Sequence, residues 1–273
     1  MYTWEITAQT AADIERLEAL RARLDTGTLA RRWAGRLRRE LEAEATAAST
    51  GLEGVPVTVA EVRRILAGDR PPAVSDANAR LVEGYREAMS YVLRRADDPG
   101  FAWQPELILG IHDRVLAGSY AAGAGRFRTG QVFLALTGEG RQVYEPPPAE
   151  AVPALLPQLA AFAQKRSCDL PAPVLSALVH VRLAGIHPFA DGNGRTARVL
   201  ASLAMHRCGY TRAEFTSLEE WWGAHRAAYY AAFECLGPVW QPAADVTPFV
   251  EEHVRAQRLQ AEALSLREAA ERQ

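Results

Sequence analysis

Cysteine is scarce in this 273-residue chain, which has only Cys168, Cys208 and Cys235, widely spaced and without a CxxC pair. An odd number at such spacing gives no disulfide framework and reads as reduced thiols in a cytoplasmic protein. Long apolar runs are missing as well. No stretch approaches the roughly 18 uncharged apolar residues of a membrane span, and the N-terminus lacks the basic-then-apolar order of a signal peptide. Neither sign of charge dominates: 31 Lys and Arg against 33 Asp and Glu leave a net charge of −2. That balance gives no global pull towards nucleic acid or a membrane. The arginines Arg31, Arg32, Arg36, Arg38 and Arg39 face glutamates further along, which favours a solvated helix face over the alternative of a nucleic-acid patch. There is no HExxH spacing of a metal-dependent hydrolase, no repeat, and no linker that demands a domain boundary. What remains is ample core-forming material, 48% apolar and 23% charged. That suits one large domain or two small ones.

Helical periodicity accounts for most of it. Ile14, Leu17, Leu20 and Leu24 share one face, and Leu29, Trp33, Leu37 and Leu41 share another in a helix expected over about 28–48. Thr58-Val59-Ala60-Glu61 is a capping box opening a short helix that Gly68 can close. A longer helix is expected over about 77–96, and Gln104-Pro105-Glu106 starts the next. Gln131–Leu136 is a strand candidate, turned by Thr137-Gly138-Glu139-Gly140 and paired back through Gln142-Val143-Tyr144. Pro146-Pro147-Pro148 stops it, and helices follow near 149–165, 218–236 and 246–271. The expected fold class is all-α, roughly eight to ten helices with one small β-hairpin. The expected organisation is an N-terminal helical region over 1–75, a core over 76–245 and a C-terminal helix over 246–273.

The chemistry gathers in His187-Pro188-Phe189-Ala190-Asp191-Gly192-Asn193-Gly194-Arg195-Thr196-Ala197-Arg198, between an apolar helical stretch (174–186) and another (199–205). Pro188 and the Gly-Asn-Gly triplet break the pattern, which predicts helix, tight loop, helix. Glycines let successive backbone N–H groups converge on an anion at a helix N-terminus. Arg195 and Arg198, three apart, can grip phosphate oxygens from one face. Asp191 is a hard oxygen ligand suited to magnesium, and His187 can take a proton near neutral pH. The set reads as a polyphosphate cradle with a base beside it.

Every position of this stretch matches HPFx(D/E)GNGRxxR, and the chain resembles the Fic family over roughly residues 45–250. Gly125-Arg126-Phe127-Arg128, the hairpin and the proline run are similar to that family's flap region. Trp221 to Tyr230 is similar to the helix that closes its nucleotide pocket. The resemblance implies a helical Fic fold and an enzyme that transfers AMP from ATP, with Mg2+, to a Ser, Thr or Tyr hydroxyl of a target protein. By resemblance, His187 is the base and Asp191 holds magnesium on the α- and β-phosphates. Gly192, Asn193 and Gly194 form the anion hole. Arg195 serves the leaving pyrophosphate and Arg198 the γ-phosphate. Leu134, Ala135, Leu136, Tyr229 and Tyr230 complete the nucleotide site, and Phe189 anchors the loop. Members that phosphorylate instead carry lysine at the position of Gly194, so this sequence points to nucleotidyl transfer.

Ser49-Thr50-Gly51-Leu52-Glu53-Gly54 resembles the family's inhibitory pattern, (S/T)xxxE(G/N), with Ser49 opening it. That resemblance implies that Glu53 pairs with Arg198 in place of the γ-phosphate. Read without it, Glu53 is a helix-end glutamate followed by Gly54 as the C′ residue. Two other functions share the residues: release of AMP from a modified protein at the same site, and a non-enzymatic nucleotide-sensing adaptor. The expected partners are ATP and an unidentified target protein added as a strand along 131–144. The long terminal helices leave room for a homo-oligomer.

Overall fold

The computed structural model describes residues 2–26, 31–135, 142–167, 169–212 and 217–270, without the side chains of 25, 26, 31–36, 135, 142 and 143. Cys168 and Leu136 lie outside the described residues. Eleven α-helices are formed among them: α1 (Ala8–Thr26), α2 (Arg31–Leu52), α3 (Val59–Leu66), α4 (Asp76–Ala96), α5 (Pro105–Val115), α6 (Val152–Arg166), α7 (Ala172–Ile186), α8 (Asn193–Arg207), α9 (Glu219–Ala224), α10 (Arg226–Ala231) and α11 (Thr247–Ala270).

The layout is centred on α7, which sequence already sets apart. It is apolar all round, a pattern that only a helix enclosed on every side can satisfy. Fourteen of its residues are buried. It packs against α8 most extensively and also against α6 and α11, while α8 is covered by α4 and α5. Val174, Leu178, Val181, Val199, Leu203 and Phe249 are fully enclosed at these seams. Burying each such side chain contributes about 1.5–3 kcal/mol. The amphipathic α1 lies along α11, and α2 runs over α9, α3 and α4. No helix among the described residues is long and apolar enough to cross a membrane.

Local signals act as the sequence indicates. Thr58 and Glu61 form the reciprocal capping box of α3, Ser75 caps α4, and Pro105 opens α5. A two-stranded antiparallel ladder joins β1 (Leu134–Ala135) to β2 (Gln142–Tyr144), with a register irregularity at Leu134/Ala135.

Two elements depart from expectation. The helix expected over 28–48 continues through Gly51 to Leu52. Gly51 costs about 1 kcal/mol of helix propensity, but buried contacts of Thr46, Ala47, Ser49, Thr50 and Leu52 carry the helix past it. The helix expected over 218–236 is interrupted at His225, whose φ of −121° and ψ of 47° are not helical. It becomes α9, α10 and a 3₁₀ turn over Ala232–Leu236, which takes the helix count above the expected range.

Candidate active site

The site is made where α7 hands over to α8. His187 ends α7 in the left-handed region, at φ 49° and ψ 58°, with its N–H still bonded to Leu183 O at 2.9 Å. This sparsely populated backbone persists only because its surroundings over-determine it. Arg128 supplies much of that constraint. Its Nε donates to His187 O at 2.8 Å, its Nη1 to Gly130 O at 3.0 Å and its Nη2 to Pro147 O. The Arg128 backbone N–H reaches Pro188 O at 3.0 Å. One buried guanidinium thus ties the start of the loop to the segments flanking the ladder.

The rest of the loop is fastened from inside. Asn193 Oδ1 accepts the Phe189 N–H at 3.0 Å and its Nδ2 donates to Phe189 O at 2.9 Å. Its side chain is therefore committed to the loop, and only its backbone is left to face an anion. Phe189 is fully buried and stacks on His112, with ring centroids 3.6 Å apart and planes at 2°. His112 Nδ1 accepts the Gly125 N–H at 3.1 Å, so its Nε2 carries the proton and donates to Asp191 O at 2.9 Å. Burial pushes the His112 pKa down to about 4, which keeps this tautomer neutral.

His187 is half-buried, and its Nδ1 lies 3.3 Å from Ala184 O. With that nitrogen donating, Nε2 is the acceptor. Burial lowers the His187 pKa to about 4, outweighing the Ala184 bond and the charges of Glu53 and Asp191 that raise it. The proton affinity expected from sequence sits near neutrality. Enclosure moves it lower, so the imidazole is neutral and ready to accept throughout the physiological range.

Behind the loop, α8 begins at Asn193 after Gly192 turns at φ 77°. The Gly192 N–H donates to Asp191 Oδ1 at 2.6 Å. Arg195 and Arg198 are both buried but take different partners. Arg195 Nη2 is 3.3 Å from each Asp191 oxygen, while its Nε and Nη1 are buried with no hydrogen-bond partner among the described residues. Buried donors left unbonded are costly.

Arg198 has a full set of partners. Its Nε donates to Ser49 Oγ at 2.9 Å, its Nη2 to Ser49 O at 3.0 Å and to Glu53 Oε1 at 2.9 Å, and its Nη1 to Tyr229 Oη at 3.0 Å. Burial works against the charge, but Tyr229, Glu53, Tyr85 and Glu219 around it hold the guanidinium firmly protonated. Gly194 makes this approach feasible, since a Cβ there would sit 2.2 Å from Glu53 Oε1 and 3.1 Å from Arg198 Nη1. Glu53 itself closes α2. The Gly54 N–H bonds to Gly51 O at 3.0 Å and the Val55 N–H to Thr50 O at 3.1 Å, with Gly54 at φ 79°. This is a Schellman end with Gly54 at C′. Glu53 is thus a helix-end glutamate and an arginine partner at once.

A cavity of about 430 Å³ opens beside the loop, within the range of small-molecule sites. Glu53, Leu134, His187, Gly194, Tyr229 and Tyr230 are among its lining residues. It therefore gathers residues from α2, the β ladder, the loop and α10. Asp191 and Arg195 lie outside that lining. The Asp191 side chain is 62% exposed. Among the described residues no group of three or more His, Cys, Asp or Glu could hold a metal by protein ligands alone. One exposed carboxylate does fit magnesium, which commonly takes one or two carboxylates and completes its shell with waters and phosphates.

Several of these residues were not identified as site residues from sequence. His112 sits beside Ile108 and Ile111 on the buried face of α5 and reads there as core. Arg128 stands in the stretch quoted for the flap resemblance, but nothing in its spacing marks it as the loop's clamp. Buried Tyr85 and Glu219 hydrogen-bond to each other behind Ser49. Their partnership spans 134 positions and leaves no local signature.

Comparison with known proteins bears on the same region. The Fic/DOC family model matches residues 102–205. Protein adenylyltransferase Fic of Drosophila sechellia is 30% identical over 209 residues, covering 72% of this chain and 40% of that protein. The Nematostella vectensis protein of the same name is 30% identical over 164 residues, 59% of this chain and 37% of its own length. The chain thus spans about two fifths of these curated relatives. Among solved structures, a Fic family protein from Desulfovibrio desulfuricans superposes with a TM-score of 0.83 at 26% identity, covering 97% of this chain and 77% of that one. Fic-1 from C. elegans gives 0.75 at 24% identity, covering 96% and 74%.

Proposed function

We propose that this chain, which belongs to the Fic/DOC family through residues 102–205, is a protein adenylyltransferase that Glu53 holds back. The observation that carries the reading is the shared cavity. It is lined by the neutral His187 imidazole, by Asn193 and Gly194 at the N-terminus of α8, and by the Glu53 carboxylate that pairs with the buried Arg198 behind it. Relatives named protein adenylyltransferase support the same chemistry.

In this reading a Ser, Thr or Tyr oxygen of the target attacks the α-phosphorus of ATP. His187 Nε2 takes the hydroxyl proton, the bond from the α-phosphorus to the bridging oxygen breaks, and pyrophosphate leaves with that electron pair. The backbone of Gly192, Asn193 and Gly194 and the Arg195 guanidinium stabilise the charge that develops. A positioned base contributes about 10²–10⁴-fold. Magnesium, held by Asp191 with phosphate oxygens, would supply further charge neutralisation. Leu134, Ala135, Tyr229 and Tyr230 would bound the nucleotide. The target segment would add along the β ladder, where Phe133 is exposed. Residues 1–75 would then carry the regulatory element, 76–245 the catalytic core and 246–273 a packing helix.

Glu53 acts in this scheme by occupying Arg198 and by repelling the γ-phosphate. A hundred-to-one bias towards the inhibited state needs about 2.7 kcal/mol, and one charge-assisted contact supplies about 1.5–3 kcal/mol. Glu53→Gly is expected to raise incorporation of AMP into the protein itself and into lysate proteins, and adding His187→Ala to abolish it. Unchanged labelling in Glu53→Gly would remove the brake from the reading. A second reading, release of AMP from a modified protein, draws on the same carboxylate. Glu53 is 24% exposed in the cavity that also holds His187, where it could orient a water. Release by the unsubstituted protein that disappears in Glu53→Gly would favour it.

A further inference from the structure

Two residues on facing helices are adverse where they stand in their own helix. Glu53 puts a negative charge at the C-terminus of α2, and Arg226 puts a positive charge at the first position of α10. Each opposes its own helix dipole. Each is favourable across the interface: Glu53 reaches Arg198, and Arg226 reaches the end of α2. Arg226 Nη1 donates to Gly51 O at 3.1 Å and its Nη2 to Leu52 O at 2.9 Å. Both carbonyls belong to the last turn of α2, where carbonyls run out of intrahelical donors; Gly51 O also accepts the Gly54 N–H of the helix end. Tyr230, one turn further along α10, donates its hydroxyl to the same Leu52 O at 2.9 Å. The residue between them in the helix, Tyr229, meets Arg198. One helix therefore grips the α2 end by its carbonyls and also touches the arginine that Glu53 occupies.

We infer that Arg226 is the positioning residue of the brake: its fork on Gly51 O and Leu52 O fixes the last turn of α2 so that Glu53 reaches Arg198. The inference rests on the proposed role of Glu53. Three features favour a latch over simple packing. Arg226 is exposed, so its aliphatic stem adds little to the core. Its contacts are to main-chain oxygens next to Glu53, so they set the position of that backbone whatever side chains flank it. Gly51 offers no side chain of its own to hold the turn, and nothing lies within 4 Å of where its Cβ would be. Arg226 is also absent from the cavity lining, so its loss need not disturb nucleotide contacts directly.

The test measures AMP incorporation from α-labelled ATP into the full chain and into lysate proteins. Four forms are compared with the unsubstituted protein: Arg226→Ala, Arg226→Lys, Glu53→Gly and the double variant Glu53→Gly/Arg226→Ala. The latch requires Arg226→Ala to raise labelling by about 5–30-fold, the factor corresponding to one or two lost contacts of this kind. Arg226→Lys, which can hold one carbonyl but not fork over two, should fall between. The double variant should match Glu53→Gly, because a latch has no effect once the group it positions is gone. If Glu53→Gly raises labelling and Arg226→Ala does not, the latch is wrong while the brake stands. If the double variant falls well below Glu53→Gly, Arg226 serves catalysis or stability and the latch is again wrong. If Glu53→Gly itself changes nothing, the brake fails and the latch fails with it.

Discussion

At the residue scale the loop works because its side chains are committed in advance. Asn193 bonds both main-chain groups of Phe189, His112 bonds Asp191 O, and Arg128 bonds His187 O, and among the described residues His187 Nε2 has no partner that must first be broken. Asn193→Ala should therefore cost more than a surface change. It strands the Phe189 N–H and C=O in the interior, at about 1–3 kcal/mol for each unsatisfied group. The expected outcome is a lower melting temperature together with a large loss of labelling in the Glu53→Gly background. Titration gives a second residue-scale expectation. An ordinary histidine base loses activity as pH falls through about 6.5. Burial lowers His187 to about 4, so initial rates of the Glu53→Gly form should stay level down through pH 6 and fall only on approach to pH 4. A rate that halves near pH 6.5 would show a solvated imidazole instead.

At the scale of elements, the proposed brake depends on the α2 end. Gly54 holds φ at 79°, a conformation that costs a residue with a side chain roughly 1 kcal/mol. Gly54→Ala should loosen the turn that carries Glu53 and raise labelling several-fold, less than removal of Glu53 does. This scale also shows what was legible in the sequence. The helix–loop–helix around His187, the Thr58 capping box and the proline starts could be read because each depends on neighbours within four residues. The passage of α2 through Gly51 was legible only from the Glu53-Gly54 helix end, since the helical periodicity stops near 48 and packing by residues such as Leu52 overrides local propensity at Gly51. The break at His225 could not be read, since local composition does not announce it. Ser49 was expected as the first residue of a pattern. The structure gives it two separate bonds to Arg198, from side chain and main chain, across 149 positions. The forked contact of Arg226 with the α2 carbonyls is equally remote, and main-chain acceptors have no identity in sequence.

At the scale of the whole molecule, four histidines are held neutral by enclosure. Burial lowers His112 and His187 to about 4, His253 to about 3, and His180 well below its ordinary value. In the unfolded chain all four bind protons from about pH 6.5 downward. Between that value and pH 4 the unfolded state therefore carries more protons, and stability falls as pH falls. Each fully buried histidine can contribute up to about 1.4 kcal/mol per pH unit in that window. Melting temperature should thus drop steeply from pH 6.5 to 4.5, and a His253→Gln variant should show a shallower slope. The wide separation of partners has the same origin as this burial. α7 is enclosed by α6, α8 and α11, so helices far apart in the sequence share one core with the α7–α8 pair.

The proposed reaction is a transfer of AMP rather than of phosphate, with His187 as base and Glu53 as brake, and one labelling experiment addresses all of it. The Glu53→Gly protein is incubated with lysate and ATP labelled at either the α- or the γ-phosphate, with and without His187→Ala. The expected result is protein-bound label from the α-phosphate, none from the γ-phosphate, and none of either once His187 is replaced. Label from the γ-phosphate, or α-label that survives His187→Ala, would contradict it.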